Sequence, residues 1–273
     1  MTAATEHNFL IAGVVALSVA ALSVYVPQFN RRSPAGPAIA LSAAAVLMLA
    51  LAIAVRWVRE LQGPFLTLYD VLLSNLFSLV LLYLIVCGIA PRFRITLNIV
   101  LPFFVLLGLW LLTVPSDAVP LPPTFDNGWL WLHVTAGKVF LGLYLVVAAA
   151  SALLLLDHFG FVGRSLRERL RPGELDASIW PVLALAFICH SFMLIAGAVW
   201  AQNAWGRYWA WDPLETWAFV TWLSLGLLMH ARVTYRRMPL PLSWASAVAI
   251  FVLAFLTFFG VPFISLAPHK GVM

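Results

Sequence analysis

Eight stretches of roughly twenty apolar residues follow one another along this chain, at about 9–28, 37–57, 66–90, 95–114, 129–156, 179–201, 215–234 and 244–264. A helix of that length crosses the roughly 30 Å hydrocarbon core of a bilayer while satisfying its own backbone hydrogen bonds. Proline and glycine punctuate between the runs, as in Arg31-Arg-Ser-Pro-Ala-Gly36 and Leu121-Pro-Pro-Thr124. With 63% of 273 residues hydrophobic and 10% charged, and a mean hydropathy of +0.97, the chain would expose too much apolar surface to be soluble. The expected fold is all-α: a polytopic membrane helix bundle of eight transmembrane helices. Residues 1–273 would form a single integral membrane domain, with no internal repeat, low-complexity tract or soluble domain.

The first residues hold Glu6 and no Lys or Arg, unlike the basic start of a secretory signal, so the first run is expected to stay as a helix. Cys87 and Cys189 both fall inside apolar runs, which argues against a disulfide framework. The net charge of +5 is no nucleic-acid signal, because the arginines sit in short loops. Arg31, Arg32, Arg92, Arg94, Arg164, Arg167, Arg169, Arg171, Arg232, Arg236 and Arg237 follow odd-numbered spans. The opposite side holds only Arg56, Arg59, Arg207 and Lys270, with Lys138 just inside span five. Basic residues favour the cytoplasmic side, so both termini are expected to face outward. The basic-free loop 115–128 and the segment 200–217 then face outward as well.

That last segment reads Trp200-Ala-Gln-Asn-Ala-Trp205-Gly206-Arg207-Tyr208-Trp209-Ala-Trp211-Asp212-Pro213-Leu214-Glu215-Thr-Trp217. An aromatic belt scatters tryptophans along helix ends. Here they crowd around a glycine and an Asp-Pro turn, as a surface for a flat aromatic ligand would require. His133 and His269 lie at the same outward level. Neutral imidazoles ligate iron, and two facing ones complete a six-coordinate haem. The tryptophan faces would cover the porphyrin, and Trp N–H groups, Arg207 and Tyr208 would reach its propionates. Asp212-Pro213 is expected to form a tight turn, with Glu215 opening the next helix.

His230 sits near the inner end of span seven and is either a functional group or a side chain reaching the headgroups beside Arg232. His190, in mid span six, either bonds a neighbouring helix, the preferred reading, or acts as a ligand. His158 reads as a solvated helix end and His7 as part of a terminus. Tyr69-Asp70 either caps, pairs with Arg56 or Arg59, or helps position the aromatic segment.

These residues resemble the CcsA/ResC family of System II cytochrome c assembly proteins, whose tryptophan-rich "WWD" segment has the form W-A-x-x-x-W-G-x-Y-W-x-W-D-P-K-E-x-W. The one departure is Leu214 in place of lysine. The resemblance covers essentially the whole chain. It implies that His133 and His269 are the family's external histidines, that His230 belongs to a haem site inside the membrane, and that Tyr69-Asp70 stands for the family's Tyr-Glu. It further implies haem b as cargo and apocytochrome c, through its Cys-x-x-Cys-His segment, as acceptor. A CcsB/ResB-like membrane subunit would be the partner in a holocytochrome c synthase complex, in a bacterial plasma membrane or a thylakoid. The alternatives are a HemX- or CcmC-like haem delivery or biosynthesis protein, and a membrane haem-based electron carrier. No residue looks like an acid or base catalyst.

Overall fold

The computed structural model describes residues 2–25, 35–61, 66–235 and 238–260. These residues are overwhelmingly helical, without a strand among them, and group into two compact units, Met1–Leu121 and Pro122–Met273.

The first unit holds α1 (Ala3–Tyr25), α2 (Ala35–Glu60), α3 (Leu68–Ile89) and α4 (Leu97–Leu112), with a 3-10 turn over Pro91–Thr96. α1 packs along α2 and α4, and α3 packs against the same two helices, which closes a ring of four. Lipid tails are as apolar as leucine, so close approach at small residues holds such helices together. A Cβ on Gly108 would lie 2.9 Å from a Val14 methyl, and one on Gly13 would lie 3.2 Å from Leu49.

One end of this unit is knotted by charge. Arg56 donates to Asp70 through Nε, to a second carboxylate, Glu6, through Nη1 at 3.5 Å, and to the Ser116 carbonyl at 3.0 Å. Its guanidinium lies 4.8 Å over the Tyr69 ring, and Arg59 pairs with Glu6 at 2.9 Å. Thr67 and Asp70 form a reciprocal capping box at the start of α3. Of the roles open to Asp70 in the sequence, this geometry selects both the cap and the pair with Arg56.

The second unit holds a 3-10 turn at Pro123–Phe125, then α5 (Gly128–His158), the short α6 (Arg164–Arg167), α7 (Pro172–Trp205), α8 (Pro213–Thr234) and α9 (Leu240–Phe259). α5 is buried nearly all round between residues 140 and 154, as befits a helix packed on both α7 and α9. α8 packs against α7 and α9. A polar knot joins these three: Asp176 accepts from Arg232 and from the Trp244 indole, both at 2.7 Å. The Arg232 guanidinium lies 4.5 Å over Trp180.

Among the described residues, seven helices are long and apolar enough to cross a membrane, against the eight spans expected from the sequence. The difference is α8, 22 residues long, in which Glu215, Trp217, Thr221, Trp222 and Ser224 dilute the apolar run. A second difference lies at the end of α7. The sixth span was expected to end near residue 201, yet α7 continues to Trp205. Nothing in Ala-Gln-Asn-Ala opposes a helix, and the stop comes at Gly206. There φ is +73°, in the left-handed region that glycine enters without a Cβ clash.

Candidate functional site

The tryptophan-rich segment is therefore a helix–turn–helix corner. Gly206 closes α7 by donating its N–H to Gln202 O at 2.9 Å. Asp212 caps α8, its Oδ1 accepting from the Glu215 N–H at 2.9 Å, with Pro213 at the first helical position. Glu215 returns across the turn, its Oε2 accepting from the Ala210 N–H at 2.7 Å. These carboxylate contacts are made within the turn itself, which fixes the corner as a rigid frame.

The tryptophans divide into supports and presented faces. Trp200 is buried, donates to Thr124 O at 2.9 Å and meets Phe125 edge to face at 5.4 Å. Trp205 packs on Trp200 at 5.0 Å. Trp209 meets Phe219 at 6.0 Å and Trp211 at 5.7 Å, both edge to face. Trp211 is 70% exposed, with Tyr208 at 61% and Trp217 at 43%, while Arg207 is also exposed. Trp211 has a φ of +58°. That region is disfavoured for a bulky side chain and marks local strain at the corner. Among the described residues, the buried Trp209 Nε1–H finds no acceptor.

His133, on the first turns of α5, sits beside this corner. Its Nδ1 lies 2.8 Å from Met193 O, and because a carbonyl only accepts, Nδ1 carries the proton. The ring stacks near Trp200 at 6.3 Å. It nestles against Gly197, where a Cβ would come within 2.6 Å of Nδ1. Its lone pair is then on Nε2, the orientation in which histidines bind metals when the other nitrogen is fixed by a carbonyl.

The remaining expected ligands separate. His269 lies outside the described residues. His230 is exposed on α8, with Thr234 Oγ1 at 3.4 Å from Nε2, and it takes no part in the Arg232–Asp176 knot. His190 is completely buried, stacked on Phe140 at 4.0 Å. The preferred reading of His190 as a hydrogen-bonding group between helices is not met among the described residues, where neither ring nitrogen has a partner.

Sequence reading missed the roles of Thr124, Phe125 and Gly197 in seating Trp200 and His133. The spacing of Gly197 three residues before Trp200 was the one available signal. It also missed Glu6, a lone acid at the head of an apolar helix.

Fold and corner define an integral membrane protein that sets a rigid aromatic turn beside a fixed histidine. The chain belongs to the cytochrome c assembly protein family, whose model, described as "Cytochrome C assembly protein", matches residues 10–269. It is similar to the cytochrome c biogenesis protein CcsA of Guillardia theta, 29% identical over 264 residues, covering 83% of this chain and 82% of that one. CcsA of Chlamydomonas reinhardtii is 30% identical over 194 residues, 69% of this chain. The match spans only 55% of the length of that relative. In fold the chain resembles the cytochrome c haem lyase CcmF, with a TM-score of 0.71 at 18% identity over 95% of this chain and 47% of that one.

Proposed function

We propose that this chain carries haem b to an external platform at residues 200–217 and presents it to apocytochrome c for thioether attachment. The observation that carries this reading is the corner itself: a capped turn that exposes Tyr208 and Trp211 beside a histidine whose lone pair is on Nε2. Trp200, Trp205 and Gly206 build the frame, Asp212, Pro213 and Glu215 lock it, and Trp209, Trp211 and Trp217 line the porphyrin. Arg207, Tyr208 and the Trp209 indole offer donors for propionates. His133 and His269 take the iron from its two faces, and His230 belongs to an inner entry site.

In this reading α8 is the eighth span and both termini face outward, as the arginine distribution favours. The membrane is a bacterial plasma membrane, with a thylakoid as the alternative setting. The apocytochrome's Cys-x-x-Cys-His histidine displaces one iron ligand. Each of its thiols then adds across a vinyl group, forming an S–C and a C–H bond with no leaving group. This chain's contribution is positioning, which by itself removes a large part of such a barrier. A CcsB/ResB-like subunit is the expected partner for docking the acceptor.

The test is a visible spectrum with pyridine haemochrome of the protein purified with its partner, beside a His133→Ala/His269→Ala variant. Copurified b-type haem that is lost or strongly shifted in the variant supports the platform. Haem indifferent to both changes, or no haem in the wild-type complex, overturns it.

A further inference from the structure

The apolar run of α5 ends at Leu153-Leu-Leu-Leu156, and the chain changes character at once. Residues 157–171 carry four arginines against Asp157 and Glu168, a net charge of +2, together with Phe159 and Phe161. Gly160, at a φ of +78°, closes the helix. Its N–H donates to Asp157 O at 3.0 Å, and the Phe161 N–H reaches back to Leu156 O at 2.8 Å. This stop leaves both phenyl rings in the open, Phe159 64% and Phe161 77% exposed.

The rest of the turn is held in place. Leu170 and Leu175 are buried, and the Leu170 N–H donates to Leu166 O at 3.0 Å. Arg167 pairs with Asp157 at 3.2 Å, and Arg171 Nη1 donates to the Glu168 carbonyl at 3.3 Å. Arg164, Arg167, Arg169 and Arg171 are nevertheless all exposed. A guanidinium has five N–H donors, so one local contact does not exhaust it.

Such a surface suits neither bulk phase. Arginines are costly in hydrocarbon, and two adjoining open phenyl rings are unfavourable in water. The boundary layer suits both, with rings among the upper acyl chains and guanidiniums on phosphate oxygens, which they bind two at a time. The depth agrees, because the turn begins where the apolar run of α5 stops.

We infer that residues 159–171 form a docking surface for the phosphate headgroups of anionic phospholipids. Charge selects the lipid: a zwitterionic headgroup carries its own cation beside the phosphate, whereas an anionic one leaves the arginines its full charge. The site stands apart from the haem reading, since the turn lies at the opposite end of α5 from His133. It joins the helix that carries His133 to the helix that carries Met193, so a lipid bound there ties their far ends together.

The experiment uses the full chain, alone and with its partner subunit, stripped of lipid in detergent. Native mass spectrometry reads the binding of phosphatidylglycerol, phosphatidylcholine of the same acyl chains, and inorganic phosphate, with thermal unfolding as the check on folding. The variants are Arg164→Gln/Arg169→Gln/Arg171→Gln, the corresponding triple lysine change, and Phe159→Ser/Phe161→Ser. Arg167 is kept, to preserve its pair with Asp157. The wild type should bind phosphatidylglycerol at least about tenfold more tightly than phosphatidylcholine at low salt. The glutamine variant should lose most of that preference, and the lysine variant should keep it, which a merely structural role would not produce. The serine variant should weaken both lipids alike. If the triple glutamine change fails to fold, Arg164→Gln alone should still lower the preference, by about fivefold. The inference is overturned if the wild type binds both lipids equally, or if the folded glutamine variant keeps the preference. Displacement of the lipid by inorganic phosphate would make this a free-anion site, and loss of the preference in the complex would make it a protein interface; either result overturns the lipid assignment.

Discussion

His133 donates from Nδ1 to the carbonyl of Met193 at 2.8 Å, one residue on α5 anchored to the backbone of α7. A backbone carbonyl inside a helix is an immobile acceptor, so this bond sets both the tautomer and the plane of the ring. The aromatic corner and its histidine are thereby positioned by the same helix, α7, which carries Met193, Gly197, Trp200 and Trp205.

Gly197→Ala tests that seating without touching the imidazole. The added Cβ would fall 2.6 Å from Nδ1, so the ring must swing away. Haem retention is expected to drop by about 10-fold or more, the usual scale for disturbing a residue that orients a metal ligand. Titrated haem content against the wild type, in protein of unchanged unfolding temperature, is the measurement. Unaltered retention would show that the orientation of His133 is immaterial.

Trp211→Gly should separate stability from binding. A non-glycine residue at φ +58° costs roughly 1–2 kcal/mol, which glycine avoids. The variant is expected to be as stable as the wild type or more so, despite losing the edge contact to Trp209 at 5.7 Å. Haem retention should fall, because the most exposed indole of the corner is gone. Thermal unfolding and haem content read in parallel decide it; a loss of both together would make Trp211 a structural residue.

Asp70→Ala should be among the most damaging changes in the first unit. Arg56, Glu6 and Asp70 are 3%, 1% and 2% exposed, and removing one carboxylate leaves a buried guanidinium short of a partner. Such breaks cost about 3–5 kcal/mol, whereas replacing a whole buried pair by apolar residues is often close to neutral. Asp70→Leu with Arg56→Met should therefore recover much of the folded yield that Asp70→Ala loses. Denaturant or thermal unfolding of the three proteins in one detergent checks this.

His230→Ala is expected to leave stability unchanged, because the ring is exposed and Thr234, at 3.4 Å, is its hydrogen-bond neighbour among the described residues. Asp176→Ala, by contrast, should destabilise the second unit by stripping Arg232 and Trp244 of their shared acceptor. A fall in haem delivery in His230→Ala, with unfolding temperature held, supports the inner entry site. Delivery equal to wild type would remove His230 from the route.

Much of the corner was legible beforehand because its chemistry is local. Asp-Pro followed by Glu215 announces a capped helix start, and Gly206 announces a helix stop, both through backbone geometry within a few residues. The exact extent was not legible: the sixth span was expected to end near residue 201, yet α7 runs on to Trp205, which packs on Trp200. The pairing of Asp70 with Arg56 stayed open in the sequence because both arginines of α2 lie within reach, one helical turn apart. Glu6 decided the matter by drawing Arg59 to itself as well.

The sequence by itself determined that the chain is a stack of membrane-length helices with an aromatic corner. A bilayer admits only self-satisfied helices of a given length, and caps and turns are short-range signals. Which histidine is seated, exposed or buried was decided only by the tertiary structure. In a soluble helix an apolar stripe marks the buried face, but here lipid-facing and bundle-facing sides are both apolar, so hydropathy does not tell them apart. His230 on an open face of α8 and His190 sealed against Phe140 look alike as letters in apolar runs. The burial of His190 arises where α5 meets α7, at glycines and ring faces brought together across fifty or more residues of chain.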